Sequence, residues 1–202
     1  MTTLVLETVL QAEDRVELKS VLTKPGSLIV DEHFSGTELG KSWVANKGEW
    51  QIKTGVLVGR EKPEDMHAAV LTLQQPHRNS VIQFAFKLDG ATGFNLSFNH
   101  AKGHLFRVAA NENGLSLTKD ADKKDPNSKP KALAKAAGKF GTGKWHTLLV
   151  EIQGDRVSVQ SDGGATLDVR EPSLDVDKTG YRFVMRGESL LIDDIKVWSV
   201  EP

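Results

Sequence analysis

The sequence predicts an all-β protein, a sandwich or barrel of about a dozen short antiparallel strands with one short helix. Apolar or alternating runs recur along the chain, and turn dipeptides such as Asp89-Gly90 and Asn113-Gly114 separate them. The turn-to-turn spacing of about 8–12 residues is typical of sandwiches and barrels. Residues 28–200 show no break in composition and no repeat of fixed period, so we expect one domain over residues 28–202.

The individual strands follow from the hydrophobic pattern and the turn residues that bound each run. KALAKAAGK (131–139) is Ala-rich, with lysines spaced for a helix that Gly138 ends, and it predicts the one helix. The charged segment before it, residues 119–131, is predicted as an exposed loop. The predicted strands are LIVDEHF (28–34), the hairpin GEWQIKTGVLVGR (48–60), HAAVLTL (67–73), SVIQFAFKLDG (80–90), the hairpin FNLSFNHAKGHLFRV (94–108), GLSLTKD (114–120), TLLVEIQ (147–153), RVSVQS (156–161), ATLDVR (165–170), YRFVMRG (181–187) and SLLIDDIKVW (189–198).

Composition excludes several classes of function. The 26 basic and 27 acidic residues leave a net charge of -1, which gives no electrostatic footprint for nucleic acid or an anionic membrane. The chain has no cysteine, so disulfides, thiolate metal sites and cysteine nucleophiles are excluded. No run of about 18 apolar residues exists, so we expect no membrane span.

Residues 1–27 are predicted to form an N-terminal arm ahead of the domain. The segment MTTLVLETVLQAEDR lacks the basic start of a signal peptide, and Glu7 interrupts its short apolar run. Two interpretations stay open. The arm packs on the domain as a leading helix or strand, or the start codon is misassigned and the true signal lies upstream.

Three segments, in chain order, resemble proteins of the concanavalin A-like jelly-roll superfamily, and in particular the bacterial 3-keto-disaccharide hydrolase family. They are GEWQIKTGVLVG (48–59), GKWHTLLVEIQGDRVSVQSDGG (143–164) and LLIDDIKVW (190–198). The resemblance covers about residues 28–200 and implies a concanavalin A-like β-sandwich whose concave, polar sheet face meets the ligand. It also implies an oligosaccharide or polysaccharide partner and a periplasmic or secreted location.

The sequence departs from the jelly-roll glucanases that it resembles in fold. Those enzymes carry an E-x-D-x-E strand whose paired carboxylates act across a glycosidic bond. No such strand is present here, and QFAFKLDG (83–90) and GFNLSFN (93–99) hold no carboxylate before Asp89. The sequence therefore favours carbohydrate binding over hydrolysis of the 3-keto-disaccharide hydrolase kind. A structural or protein-interaction module remains a third hypothesis.

The hairpin FNLSFNHAKGHLFRV carries the candidate ligand site. A three-residue loop, Ala101-Lys102-Gly103, pairs Phe98 with Phe106 and Leu96 with Val108, so that apolar side chains face each other. The polar residues then share the opposite face, and a two-residue loop at Asn113-Gly114 sets an arginine of this face beside an aspartate. The predicted ligand-binding residues are Asn95, Ser97, Asn99, Arg107 and Asp120.

Amides, a hydroxyl and an Arg–Asp pair can hydrogen-bond sugar hydroxyls, which both donate and accept. The alternative is a solvated sheet face with a cross-strand ion pair. Trp43, in the loop GKSW, is a candidate sugar platform, and its alternative is a place in the core.

The sequence offers two candidate metal sites, one of histidines and one of aspartates. His100 and His104, predicted to oppose each other at the hairpin tip, could bind a metal ion with His67 as a third ligand. Asp120, Asp122 and Asp125 have the oxygen-rich spacing of a loose calcium loop. The alternatives are surface histidines and a solvated charged loop.

The segment REKPEDMH (60–67) supplies the catalytic candidates. A carboxylate and a histidine close together can do acid–base chemistry, and Glu61, Asp65 and His67 are the candidates here. If the protein is a hydrolase, we expect Glu61, Asp65 or His67 to converge on the polar face of the hairpin. The alternative is an exposed loop at the rim of the sandwich.

Overall fold

The computed structural model describes residues 15–201, and the predictions for residues 1–14 lie outside them. The all-β prediction is confirmed, because fifteen strands and two single 3-10 turns account for the regular structure of this part of the chain. The strands are β1 Pro25–Glu32, β2 Trp43–Lys47, β3 Glu49–Lys53, β4 Val56–Arg60, β5 Ala69–Leu73, β6 Ser80–Leu88, β7 Ala91–His100, β8 Gly103–Asn111, β9 Gly114–Lys119, β10 Lys131–Ala137, β11 Trp145–Gln153, β12 Arg156–Ser161, β13 Thr166–Arg170, β14 Tyr181–Gly187 and β15 Leu190–Val200. The 3-10 turns are Pro63–Asp65 and Pro172–Leu174.

The strands form two antiparallel sheets that pack face to face as a β-sandwich. The eight-stranded sheet has the order β13-β12-β11-β6-β15-β4-β3, and β1 adds to it by pairing with β15. The seven-stranded sheet has the order β10-β9-β8-β7-β14-β5-β2. No helix within residues 15–201 is long and apolar enough to cross a membrane.

The core lies between the two sheets and is rich in phenylalanine. Phe84 and Phe86 on β6 point inward from the eight-stranded sheet, and Phe94 and Phe183 point inward from the seven-stranded sheet. Phe84 meets Phe183 edge to face with ring centroids 5.2 Å apart, and Phe86 meets Phe94 at 4.8 Å. All four are at most 3% exposed, and burying such a side chain contributes roughly 2–3 kcal/mol. This core fixes which residues of each strand must face outward.

The predicted helix at 131–139 is wrong, because Lys131–Ala137 forms the edge strand β10, which pairs with β9. A helix of this length would have little stability alone. Pairing with β9 supplies a hydrogen-bond ladder, and Leu133, Ala134 and Ala136 pack partly against the core. The tertiary contacts therefore override the helical propensity of alanine.

Strand β2 was not predicted, and it places Trp43 in the core. Trp43 pairs with Leu73 of β5 and is 8% exposed. Its ring lies 5.8 Å from Phe34 and 6.2 Å from Phe183. The prediction of Trp43 as a sugar platform is therefore wrong, and its alternative, a core position, is correct.

Residues 15–24 run without regular secondary structure across the outer face of the eight-stranded sheet before β1 begins at Pro25. The backbone N–H of Leu18 donates to the Gln83 side chain at 2.9 Å. The Arg15 guanidinium lies 2.8 Å from the carboxylate of Asp193. The described part of the arm is thus attached to the domain through polar groups that the sheet would otherwise leave unpaired.

Candidate functional site

The hairpin β7–β8 presents its polar side chains on the outer face of the seven-stranded sheet. The predicted inward pairs, Phe98 with Phe106 and Leu96 with Val108, are confirmed. Ser97 lies opposite Arg107 on the outer face, as the same register requires. Alternation of side chains along paired strands therefore puts the predicted polar residues on one surface.

The tip of this hairpin differs from the prediction. A two-residue turn, Ala101-Lys102, joins His100 to Gly103, and a bulge at Leu105 takes up the additional residue. His104 consequently lies opposite Asn99, and the predicted pairing of His100 with His104 is wrong. The bulge turns His104 toward the polar face, where its Nδ1 lies 3.0 Å from the side-chain oxygen of Asn99.

The turn between β8 and β9 is also displaced by one residue from the prediction. It consists of Glu112 and Asn113, so Arg107 lies opposite Thr118 and not directly opposite Asp120. Arg107 and Asp120 nevertheless form an ion pair, because this change of register keeps both on the same face. Arg107 is 35% exposed at its side chain and Asp120 is 11% exposed.

Strand β14 adds two arginines to the same surface. Tyr181, Phe183 and Met185 are buried, and Arg182 and Arg186 alternate with them on the outer face. Arg182 lies between two strands, opposite Ser97 of β7 and Thr72 of β5. Neither arginine is among the predicted site residues, although the alternation in YRFVMRG indicates that both face outward.

These side chains line a groove of about 430 Å³ on the outer face of the seven-stranded sheet, called here the main groove. A second groove of about 570 Å³ adjoins it and contains the predicted residue Asn99; it is called the side groove. His67, His104 and Arg182 border both. The polar lining of the main groove is His67, Asn95, Ser97, His104, Arg107, Asn111, Asp120, Arg182 and Arg186, with Thr92 at one side.

Two of the three residues that border both grooves, His104 and Arg182, differ in charge. Burial lowers the pKa of His104, and the positive charges of Arg182, Lys123 and Arg107 lower it further, so the neutral ring is favoured. Because the Asn99 oxygen accepts from Nδ1, Nε2 of His104 remains an acceptor. Burial also lowers the pKa of Arg182, which has no ion pair or side-chain hydrogen bond within residues 15–201.

His67 stands where three cavities meet, since it also borders a groove of about 780 Å³ beside the loop 60–67. Its Nδ1 lies 2.7 Å from the backbone oxygen of Ala68. A carbonyl only accepts, so Nδ1 carries a proton, and in the neutral ring Nε2 has a free lone pair. The preceding residue, Met66, is 94% exposed with φ at 46°, a strained conformation for a side chain of this kind.

The other two catalytic candidates are separated by the structure. Glu61 borders the same 780 Å³ groove as His67, where it accepts from the N–H of Gly187 at 2.6 Å and lies 3.3 Å from Arg186. Asp65 accepts from the N–H of Gly48 at 2.6 Å, and this bond lowers its pKa. Of the three candidates, His67 lines the main groove, Glu61 lines the adjoining groove of about 780 Å³, and Asp65 borders none of the three grooves.

Neither predicted set of metal ligands, the three histidines or the three aspartates, comes together. Within residues 15–201, no group of three or more histidine, cysteine, aspartate or glutamate side chains is placed to hold a metal ion. Asp122 instead accepts from the N–H of Lys124, and Asp125 from the N–H of Asn127, each at 2.9 Å. The two sets are His67, His100 and His104, and Asp120, Asp122 and Asp125.

Two antiparallel sheets packed face to face make this protein a jelly-roll sandwich, and its polar groove lies on one of them. Residues 30–189 match the model of the 3-keto-alpha-glucoside-1,2-lyase-like domain, and the chain belongs to that family. The predicted resemblance to the 3-keto-disaccharide hydrolases is thereby confirmed. No curated protein matches the sequence.

Solved structures share the fold at low sequence identity. A Bacillus subtilis protein of unknown function with a galectin-like fold superimposes with a TM-score of 0.68 at 12% identity, covering 90% of this chain and 100% of that one. Carbohydrate-binding module CBM66 from Bacillus subtilis gives 0.63 at 13% identity, covering 78% and 96%. SCLam, a non-specific endo-beta-1,3(4)-glucanase of family GH16, gives 0.62 at 13% identity, covering 89% and 95%. The prediction of a jelly-roll sandwich is confirmed.

Proposed function

We propose that this protein binds an oligosaccharide or polysaccharide in the main groove. The observation that carries the proposal is the row of polar side chains that the sheet aligns there, within a cavity of about 430 Å³. This volume falls in the range of small-molecule sites. Family membership and the carbohydrate-binding module among the structural neighbours support a sugar as the ligand.

The individual groups suit sugar hydroxyls. Beside Arg107, the amide of Asn95 offers two N–H donors and an oxygen acceptor, and the hydroxyl of Ser97 offers one donor and an acceptor. Asp120 accepts from Arg107 and holds its guanidinium over the groove. Asn99 orients His104, whose Nε2 supplies a further acceptor. The five predicted ligand-binding residues and His104 together offer both hydrogen-bond donors and hydrogen-bond acceptors.

A thermal-shift screen against a panel of oligosaccharides tests the proposal, because a ligand that binds only the folded state raises the melting temperature. We expect one class of sugar to raise it, and Arg107→Ala to abolish the shift. Arg170→Ala is the matched control, since Arg170 pairs with Asp155 on the other sheet at 3.0 Å. An unchanged affinity in folded Arg107→Ala would contradict the site, and no shift with any sugar would favour an interaction module.

The same screen, repeated with calcium and with chelator, tests the charged loop. A sugar-induced shift that chelation removes would assign calcium to Asp122 and Asp125 together with Asp120. A shift that survives chelation would leave these carboxylates to the turn hydrogen bonds and the ion pair that they make here. The periplasmic or secreted location implied by the family is a separate proposal, which export of the native gene product would test.

A lyase is the second candidate function, and the free Nε2 of His67 is the observation that favours it. A 1,2-elimination from a 3-keto-glucoside removes the proton on C2, which the neighbouring ketone makes acidic, and breaks the bond from C1 to the glycosidic oxygen. His67 Nε2 would accept the C2 proton, and Arg182 or Arg186 would stabilise the charge that develops on the ketone oxygen. The departing oxygen takes up a proton, which balances the reaction.

Nuclear magnetic resonance of a 3-keto-α-glucoside mixed with the protein in deuterated water tests the lyase. We expect deuterium at C2 or loss of the C2 proton with release of the aglycone. His67→Gln should abolish both, because an amide cannot act as the base. Asp65→Asn is the control, since Asp65 lies outside the grooves. Equal rates in wild type and His67→Gln would contradict this chemistry.

A further inference from the structure

The charge of the two grooves differs sharply from the charge of the whole chain. The net charge is -1, with acidic and basic residues almost equal in number. Five cationic side chains line the main and side grooves within residues 15–201, against a single carboxylate, that of Asp120. The five are Lys47, Arg107, Lys123, Arg182 and Arg186. A local excess of positive charge of this kind attracts an anion.

Three of these cations already have carboxylate partners. Arg107 pairs with Asp120, Arg186 lies 3.3 Å from Glu61, and Lys47 lies 3.7 Å from Asp65. Arg182 makes no such pair within residues 15–201, although it stands at the junction of the two grooves. A partly buried guanidinium without a partner loses solvation that nothing in the described chain restores.

A second observation also indicates a positive electrostatic potential in the two grooves. The neutral form of the neighbouring His104 is favoured partly because Arg182, Lys123 and Arg107 surround it, and together they lower its pKa. The cations therefore act on one region of space rather than on separate surfaces. Ser97 lies opposite Arg182 on β7, so a ligand that reaches the guanidinium also reaches the row of neutral polar groups.

We propose that the ligand of the main groove is an acidic sugar, and that the guanidinium of Arg182 binds its anionic group. This inference rests on the proposed carbohydrate-binding function. A carboxylate, as in a uronic acid, matches the planar fork of two guanidinium N–H groups, and a sulfate ester offers the same shared chemistry. A neutral sugar would supply no anionic group to pair with the guanidinium of Arg182.

Isothermal titration calorimetry with three tetrasaccharides tests the proposal. The probes are tetragalacturonate, which carries carboxylates, neocarratetraose sulfate, which carries sulfates without carboxylates, and neutral maltotetraose. We expect at least one acidic probe to bind roughly tenfold or more tightly than maltotetraose, as a charge-assisted hydrogen bond allows. The better acidic probe identifies the anionic group. Raising the salt from about 20 to about 300 mM should weaken the acidic probe and leave the neutral one unchanged.

Substitutions locate the effect. Arg182→Gln should reduce the preference for the acidic probe roughly tenfold, and Arg182→Lys should restore part of it, since lysine keeps the charge without the fork. Lys53→Gln removes the same charge from an exposed position on the eight-stranded sheet and should change nothing. Circular dichroism of each variant shows that it is folded.

The failures of the two proposals are distinguishable. Equal, salt-independent binding of maltotetraose and both acidic probes would overturn the acidic ligand and keep the sugar site. Preference for an acidic probe that survives in folded Arg182→Gln would overturn the role of Arg182. If no probe bound, and the wider oligosaccharide panel also gave no thermal shift, both proposals would fall.

Discussion

Thr23 and Glu151 are joined by two hydrogen bonds to the same carboxylate oxygen, from the backbone N–H at 3.0 Å and from the hydroxyl at 3.2 Å. Glu151 lies on β11 and is 1% exposed. The N–H groups of Val21 and Leu22 donate to the same carboxylate at 3.0 and 3.1 Å. A buried carboxylate on the outer face of the sheet is therefore satisfied by the backbone of the N-terminal arm.

Replacement of Glu151 by alanine should detach this part of the arm and destabilise the protein. We expect the free energy of unfolding to fall by about 3 kcal/mol, because several N–H groups lose a charged acceptor. Urea unfolding measures the loss, and amide hydrogen exchange at residues 21–23 should accelerate. Glu112→Ala, at an exposed turn, is the control. Slow exchange at residues 21–23 in Glu151→Ala would show that other contacts hold the arm.

Glu171 makes the stability of the sandwich edge sensitive to acid. Its carboxylate lies 2.9 Å from Lys131 and 3.8 Å from Lys119, and the Ser173 hydroxyl donates to it at 2.9 Å. These bonds, that of Lys131 first, lower its pKa from 4.5 to about 2. Because the folded pKa is the lower one, the stabilisation is present above pH 4.5 and is lost as the pH falls toward 2.

We therefore expect Glu171→Gln to be less stable than the wild type at neutral pH, with a difference that closes between pH 4.5 and 2. Urea unfolding at a series of pH values measures it. Glu112→Gln should follow the wild type throughout. A constant difference between wild type and Glu171→Gln across this range would show that the glutamate acts by packing alone.

His77 should cause a loss of stability at milder acidity. Its ring stacks on Tyr181 with centroids 4.4 Å apart, and burial, with a smaller effect of Lys178, lowers its pKa from 6.5 to about 4. The folded state thus favours the neutral ring, and the stabilisation present above pH 6.5 is lost as the pH falls toward 4. His77→Phe keeps a stacked ring and should flatten this part of the pH profile.

His33 supplies a comparison of opposite sign. Its hydrogen bond to Asp194 at 2.7 Å raises its pKa, so its stabilisation is present below pH 6.5 and lost as the pH rises through the raised value. The wild type should therefore gain stability from His33 as the pH falls to 6.5, and His33→Gln should remove this gain without changing the profile between pH 6.5 and 4 that His77→Phe flattens. Parallel pH profiles for the two variants would contradict both assignments.

Gly59 on β4 makes room for the ring of Trp50, which lies opposite it on β3. A Cβ at Gly59 would come within 2.7 Å of three ring carbons of Trp50, which is 8% exposed. We expect Gly59→Ala to reduce the free energy of unfolding by about 2 kcal/mol, a typical cost of overpacking. Gly36→Ala, with its nearest contact at 3.8 Å, should have little effect. Equal melting temperatures would show that the ring can move aside.

Much of the fold could be predicted because strand patterns are local. The alternation of Phe94, Leu96 and Phe98 requires one inward face wherever the strand pairs, and the pairing with Phe106 followed from it. The segment 131–137 could not be predicted in this way. The alanines and lysines of this segment favour a helix locally. Whether it forms a strand depends on pairing with the open edge of β9, which the segment's own sequence does not reveal.

The sequence alone determined the all-β class, the family, the inward register of β7 and β8, and the shared outer face of Asn95, Ser97 and Arg107. Only the tertiary structure decided the bulge at Leu105 that brings His104 to the groove, and the insertion of β14 that brings Arg182 beside Ser97. The reason is physical. Side-chain alternation is a property of each strand by itself, whereas the pairing of strands that are distant in sequence depends on the packing of the whole core.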